Sequence, residues 1–178
     1  MSIAAASLAA VKSLKHISSP ARAGRVLLYD GVCNLCNKGI MFIAKRDPNR
    51  NVMFCSLQSQ AALPYLKAIG LSRQQALQGL VFIEYKDWSF GSTAALNVWK
   101  YLRSPWPLFS NLLWVVPEPV REAVYSKIAA NRYAMFGRTT VCQIPPAHLL
   151  DRFVDRDELL SGRCGGEGME PPDESNES

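Results

Sequence analysis

Cys33 and Cys36 are the residues of this chain best suited to covalent chemistry, and two positions separate them. Cysteines at that spacing can close a small, reversible disulfide, and the thiolate is the attacking species in such exchange. Their flanks set the context. The apolar run Leu27-Leu28-Tyr29 stops at Asp30-Gly31, and a helix-like run begins at Asn34. A strand-to-helix turn holds the first thiol against the unpaired N–H groups and positive dipole end of the helix, which favours the thiolate. A C-x-x-C pair in a βαβ setting reads first as a redox motif. Cys33, nearer the helix start, is expected to be the more acidic and more exposed thiol and so the nucleophile. Cys36, one turn in, is expected to resolve the mixed disulfide. Asp30 has two readings. It relays a proton for Cys36, since a carboxylate otherwise opposes thiolate formation, or it caps the helix.

The remaining candidates are weaker. Cys55 lies in the strand-like Val52-Met53-Phe54-Cys55 and reads as a small buried hydrophobe. Cys142 and Cys164 fall in loop and tail and read as exposed thiols, with regulatory or mixed disulfides as the alternative. Zinc needs four ligands; Cys142 and His148 are the nearest additions to the pair, at a spacing that matches no known pattern. Ser92 and Thr93 are expected to cap the helix that follows or to line a groove opposite the cysteines. Arg121, Tyr125, Arg132 and Tyr133 share one helical segment, as packing residues or as a partner surface. A dithiol couple requires no organic cofactor; its electrons would come from a reductase, a carrier protein or a small thiol.

These residues need elements to position them. Arg25–Asp30 reads as a buried strand and Asn34–Arg46 as a helix with apolar residues at helical spacing. Asn51–Leu57 reads as a second strand, 58–69 as a helix closed by Gly70, and Ser72 as the cap of a further turn. Leu80–Tyr85 is the strongest strand signal, and 87–90 can pair back to it before a helix over 94–103. The order β-α-β-α-β-β-α is that of a thioredoxin-like α/β core. Beyond Ser104 the pattern turns helical: 106–116 is nearly all apolar, Glu118–Phe136 is amphipathic, and 149–160 forms a last short helix. We expect one domain over 25–160, with a helical extension from about 105 that covers the core, so that removing it would expose a large apolar patch.

Charge and composition exclude some classes. The 178 residues carry a formal charge of +5, unevenly spread: 13 basic and 6 acidic residues over 26–150, then 3 basic and 9 acidic over 151–178. The basic excess is dispersed, which argues against nucleic acid. No apolar run is long enough to span a bilayer. Residues 1–24 are rich in Ala and Ser, with basic but no acidic side chains, matching an organellar transit segment for mitochondrion or chloroplast; otherwise the location is cytoplasmic. From Ser161 the Gly, Glu, Pro and Ser content predicts a disordered acidic tail.

At Asp30-Gly31-Val32-Cys33-Asn34-Leu35-Cys36 the chain resembles the DCC family of thiol-disulfide oxidoreductases, named for the Asp and two Cys of D-G-x-C-x-x-C. The likeness continues in Gly91-Ser92-Thr93-Ala94-Ala95, in Pro119-Val120-Arg121-Glu122-Ala123-Val124-Tyr125 and in Asn131-Arg132-Tyr133-Ala134-Met135-Phe136-Gly137. The resemblance implies a thioredoxin-like fold with a helical extension, and thiols or disulfides of proteins or small molecules as partners. Cys55-Ser56-Leu57-Gln58-Ser59 and the N-terminal segment resemble plant-type organellar members. One feature departs from thioredoxins at large: Gln78-Gly79 precedes Leu80 where a cis-proline would stand. A non-enzymatic interaction or assembly module with structural or sensory cysteines is the competing reading, and a zinc-binding adaptor is a third.

Overall fold

The computed structural model describes residues 24–164. Four strands form one mixed sheet in the order β2-β1-β3-β4: β1 (Arg25–Tyr29), β2 (Met53–Ser56), β3 (Val81–Glu84) and β4 (Asp87–Phe90). β1 runs parallel to β2, so a crossover must join them, and α1 (Asn34–Arg46) supplies it. β3 lies antiparallel to β1 and turns back as a hairpin into β4. This is a mixed α/β fold consistent with the thioredoxin-like class, in the expected element order.

Alternation along β1 sorts the core into two layers. Leu27 and Tyr29 face α1, through Ile40 and Ile43, and α4 (Gly91–Trp99), through Ala94 and Val98. Val26 and Leu28 face Tyr65 and Leu66 of α2 (Leu63–Ile69) and Ala76 of α3 (Arg73–Ala76). With both faces covered, every residue of β1 after Arg25 is apolar and buried. Ser72 caps α3 in a full capping box, its side chain accepting the Gln75 N–H.

The extension comprises α5 (Trp106–Leu113) and α6 (Glu118–Phe136), followed by a 3₁₀ turn (Ala147–Arg152) and α7 (Arg156–Leu160). The single helix expected over 149–160 is broken. Phe153 bridges Phe54, and the Val154 N–H donates to the Phe54 carbonyl at 2.9 Å, so these residues are spent on the edge of β2. The helix after β4 starts at Gly91, three residues earlier than expected, because a carboxylate from α6 rather than Ser92 or Thr93 serves its N-terminus. The apolar segment 106–116 is less buried than its composition implies. Trp106 packs on Phe42 and Trp99, and the Ser110 hydroxyl donates to the Leu96 carbonyl, but Leu108 and Val115 are 70% and 79% exposed. The tail was expected from Ser161, but Cys164 is buried and bonded to Cys142. The candidate transit segment, up to residue 23, and residues 165–178 lie outside the described residues.

Candidate active site

Cys33 is itself the N-cap of α1. Its sulfur accepts the Cys36 N–H at 3.3 Å, one of the helix donors that otherwise lack a partner. Asp30 therefore does not cap the helix; it sits three residues earlier, where its Oδ1 accepts the Val32 N–H at 3.2 Å. The turn between strand and helix is rigidly held. Asn37 Nδ2 donates to the carbonyls of Gly31 and Cys33, at 2.7 and 2.9 Å, and the Gly31 N–H donates to Gln58 Oε1 at 2.8 Å.

Asp30 is the hub of the site. Gln58 Nε2 donates to Oδ1 at 2.8 Å; Arg132 Nη2, at 3.0 Å, and the Tyr133 hydroxyl both donate to Oδ2. The carboxylate is buried and accepts four donors with the Val32 N–H, which offsets the cost of burying its charge. Burial works against the Arg132 charge, but the bonds and charges of Asp30 and Tyr133 together outweigh it and the guanidinium pKa is raised. Burial and the bond to Asp30 push Tyr133 up to about 12. Arg132 and Tyr133, grouped in the sequence only as helix neighbours, are thus brought to Asp30 from α6 across about a hundred residues of chain.

The two thiols are sharply different. The Cys36 thiol hydrogen bond, set against burial, lowers Cys33 to about 6; the same bond, with burial, pushes Cys36 upward. Asp30 opposes ionisation of either thiol and Arg132 favours it, so the ion pair offsets part of the repulsion a lone carboxylate would exert. The acidity order agrees with the sequence. The exposure order does not: Cys33 is 0% exposed, while Cys36 is partly exposed. A strap after α6 explains this. The Asn34 N–H donates to the Gly137 carbonyl, the Thr139 N–H to Val32, and the Gln143 N–H to Gly31, while Arg138 bridges Cys33 as an added strand would. Nothing local in the sequence signals a cover that arrives from 104 residues downstream.

The other candidates scatter. The Ser92 N–H and hydroxyl donate to Glu122 Oε2 at 3.1 and 2.8 Å, so Ser92 anchors α6 to α4. A Cβ on Gly91, at φ +59°, would collide with the same carboxylate. Thr93 Oγ1 is buried without a partner among the described residues. Cys55 is buried, as expected. Cys142 and Cys164 are not exposed thiols: they form a disulfide, packed against Ser56 and Gly31 behind the active turn. That bond removes Cys142 from the ligand set considered with His148.

An apolar groove of about 210 Å³ runs between α1 and α6, beside the Asp30–Arg132 pair. Cys36 is on its wall and Cys33 is not. The Leu80 N–H, at the start of β3 where a cis-proline is missing, donates to the Tyr125 hydroxyl at 2.8 Å. Among the described residues the cis peptide bond is Ser104–Pro105, outside the groove. Glu122 and Gln58 are the site positions not singled out from the sequence, and Tyr125 was grouped there only as a packing or partner-surface residue. Each lay within a stretch quoted for the family resemblance, which was the available signal.

The model of the DCC1-like thiol-disulfide oxidoreductase family matches residues 27–138. YuxK of Bacillus subtilis is 48% identical over 130 residues, covering 73% of this chain and 93% of that protein. A chloroplastic DCC family protein of Arabidopsis thaliana is 38% identical over 119 residues, 67% of this chain and 69% of the relative. No solved structure matches.

Proposed function

We propose, for a chain that belongs to the DCC1-like thiol-disulfide oxidoreductase family, that Cys33 and Cys36 cycle between dithiol and disulfide to reduce or form disulfides in protein or small-molecule partners. The observation that carries this reading is the Cys33 sulfur at the N-cap of α1, accepting the Cys36 N–H and lowered to about 6. A thiolate at neutral pH next to a second thiol is what exchange requires. In this reading Cys33 attacks, which needs the strap over Gly137–Gln143 to part, and Cys36 resolves. Asp30 holds Arg132 and Tyr133 around the pair as a positioning residue; as a proton relay for Cys36 it would act through solvent, since no direct bond joins them among the described residues.

The exposure of Cys36 favours a second order of events. Cys33 takes the Cys36 proton as Cys36 attacks a substrate disulfide in the groove, and Cys33 then resolves. Single substitutions separate the two. Treated with a disulfide substrate, Cys36→Ser traps a mixed disulfide at Cys33 if Cys33 attacks, and Cys33→Ser traps one at Cys36 if the order is reversed. No trapped species in either variant would end the exchange reading and leave the fold as an interaction module.

Targeting to an organelle is part of the proposal. The composition of residues 1–24 and the chloroplastic relative both support it. No helix among the described residues is long and apolar enough to cross a membrane.

A further inference from the structure

The groove beside Cys36 has features that the exchange reaction alone does not require. Its walls are the side chains of Leu35, Ile40, Ile43, Leu77, Leu80 and Ile128, with Asp30 and Arg132 as its charged members. The polar backbone groups nearest β3 are already spent. Tyr125 takes the Leu80 N–H, and Arg132 Nη2 donates to the Leu77 carbonyl at 2.7 Å. A polypeptide docking along this wall would need such backbone groups free, and here they are taken. The groove of about 210 Å³ has almost wholly aliphatic walls, which suits a short aliphatic chain.

Gly39 supplies a second observation. It stands inside α1, where glycine costs roughly 0.5–1 kcal/mol relative to alanine. Neither usual reason for glycine applies: it is not among the positive-φ residues, and a Cβ there would meet no heavy atom within 4 Å. It lies on the groove wall, so the missing side chain leaves open space beside Cys36.

We infer that the groove between α1 and α6 admits a small aliphatic disulfide, free or at the end of an aliphatic arm, and presents it to Cys36. The inference rests on the exchange reading and takes Cys36 as the sulfur that meets substrate. Cys36 Sγ passes its proton to the Cys33 thiolate and attacks one sulfur of the substrate disulfide. That S–S bond breaks, a Cys36–substrate bond forms, and the second substrate sulfur leaves as a thiolate that takes a proton from solvent. Cys33 then loses its proton to solvent and attacks Cys36 Sγ. The Cys36–substrate bond breaks as the Cys33–Cys36 disulfide forms, the released substrate sulfur takes a proton from solvent, and a cyclic substrate leaves as a dithiol, reduced by two electrons.

The test mixes the reduced full chain with oxidised lipoamide, with glutathione disulfide, or with a cystine-bridged peptide. Formation of the Cys33–Cys36 disulfide is followed by alkylation and mass. Each rate is divided by that disulfide's rate with a free dithiol, which cancels intrinsic reactivity. Lipoamide is expected to lead the other two by about tenfold, the factor that burying roughly two methylenes supplies. Gly39→Leu fills the groove and should cut the lipoamide-to-glutathione ratio by about the same factor; Ala129→Leu tests the opposite wall. A lipoyl domain that outpaces free lipoamide would place the disulfide on a carried arm, and the reverse would make it a free molecule; both support the inference. Equal normalised rates, a faster peptide, or ratios unmoved in both variants would overturn it while leaving exchange intact. If no disulfide oxidises the pair, the exchange reading itself fails and the groove assignment with it.

Discussion

At the scale of single residues, the account turns on why one thiol of the pair is acidic. The first cause is the hydrogen bond from Cys36, then the backbone N–H at the helix start, both acting against burial. A pKa near 6 means that Cys33 is a thiolate above that pH and protonates as the pH falls through it. Thiolate absorbance of the reduced protein should therefore rise by one group around pH 6, with the Cys36 contribution absent until far higher pH. Cys33→Ser should remove the early step. Cys36→Ala should move it upward toward the ordinary thiol range, because the largest stabilising bond is gone. A step near pH 6 that survives unchanged in Cys36→Ala would show that the helix end alone sets the acidity. The spacing of the cysteines and their place before a helix made this acidity legible in the sequence. The burial of Cys33 was not, because the residues that cover it pair with Asn34 and Val32 from Gly137 and Thr139.

At the scale of elements, α6 is the piece that turns a sheet and two helices into a site. Its first half fixes α4: Glu122 accepts both donors of the buried Ser92. Its middle supplies the Tyr125 hydroxyl to Leu80, and its last turns bring Arg132 and Tyr133 to Asp30. Glu122→Ala would leave the Ser92 N–H and hydroxyl buried without an acceptor, at a cost of about 1–3 kcal/mol. The urea midpoint should fall accordingly, and Ser92→Ala in the same background should recover part of the loss by removing one orphaned donor. An unchanged midpoint in Glu122→Ala would mean that water serves α4 equally well. The bounds of α6 were legible, since Pro117 and Pro119 mark its start and Gly137 its end. Glu122 was not, because it caps a helix thirty residues upstream. The break in the helix expected over 149–160 was hidden for a similar reason: Phe153 is claimed by β2, and local periodicity carries no trace of a strand edge.

At the scale of the whole molecule, the chain is a thioredoxin-like core whose reactive turn is closed on two sides by its own extension, α6 with the Asp30 partners and the strap with the Cys142–Cys164 disulfide behind it. The element order and the family were legible because the motif blocks span most of the core. The outward turn of Leu108 and Leu112 was not legible, since apolar composition alone does not say which side of α5 is turned inward. The proposed organellar address is a property of the whole chain: residues 1–24 fused to a fluorescent protein should deliver it to plastids or mitochondria in plant cells, and a diffuse cytosolic signal would contradict the targeting reading. The central claim is that Cys33 and Cys36 form a reversible couple. It is tested most directly by equilibrating the full chain across graded ratios of reduced to oxidised dithiothreitol and following the peptide that carries both cysteines by alkylation and mass. The account predicts a single two-electron transition from dithiol to Cys33–Cys36 disulfide, absent in Cys33→Ser and in Cys36→Ser. A peptide alkylated at both cysteines across the whole range would contradict it.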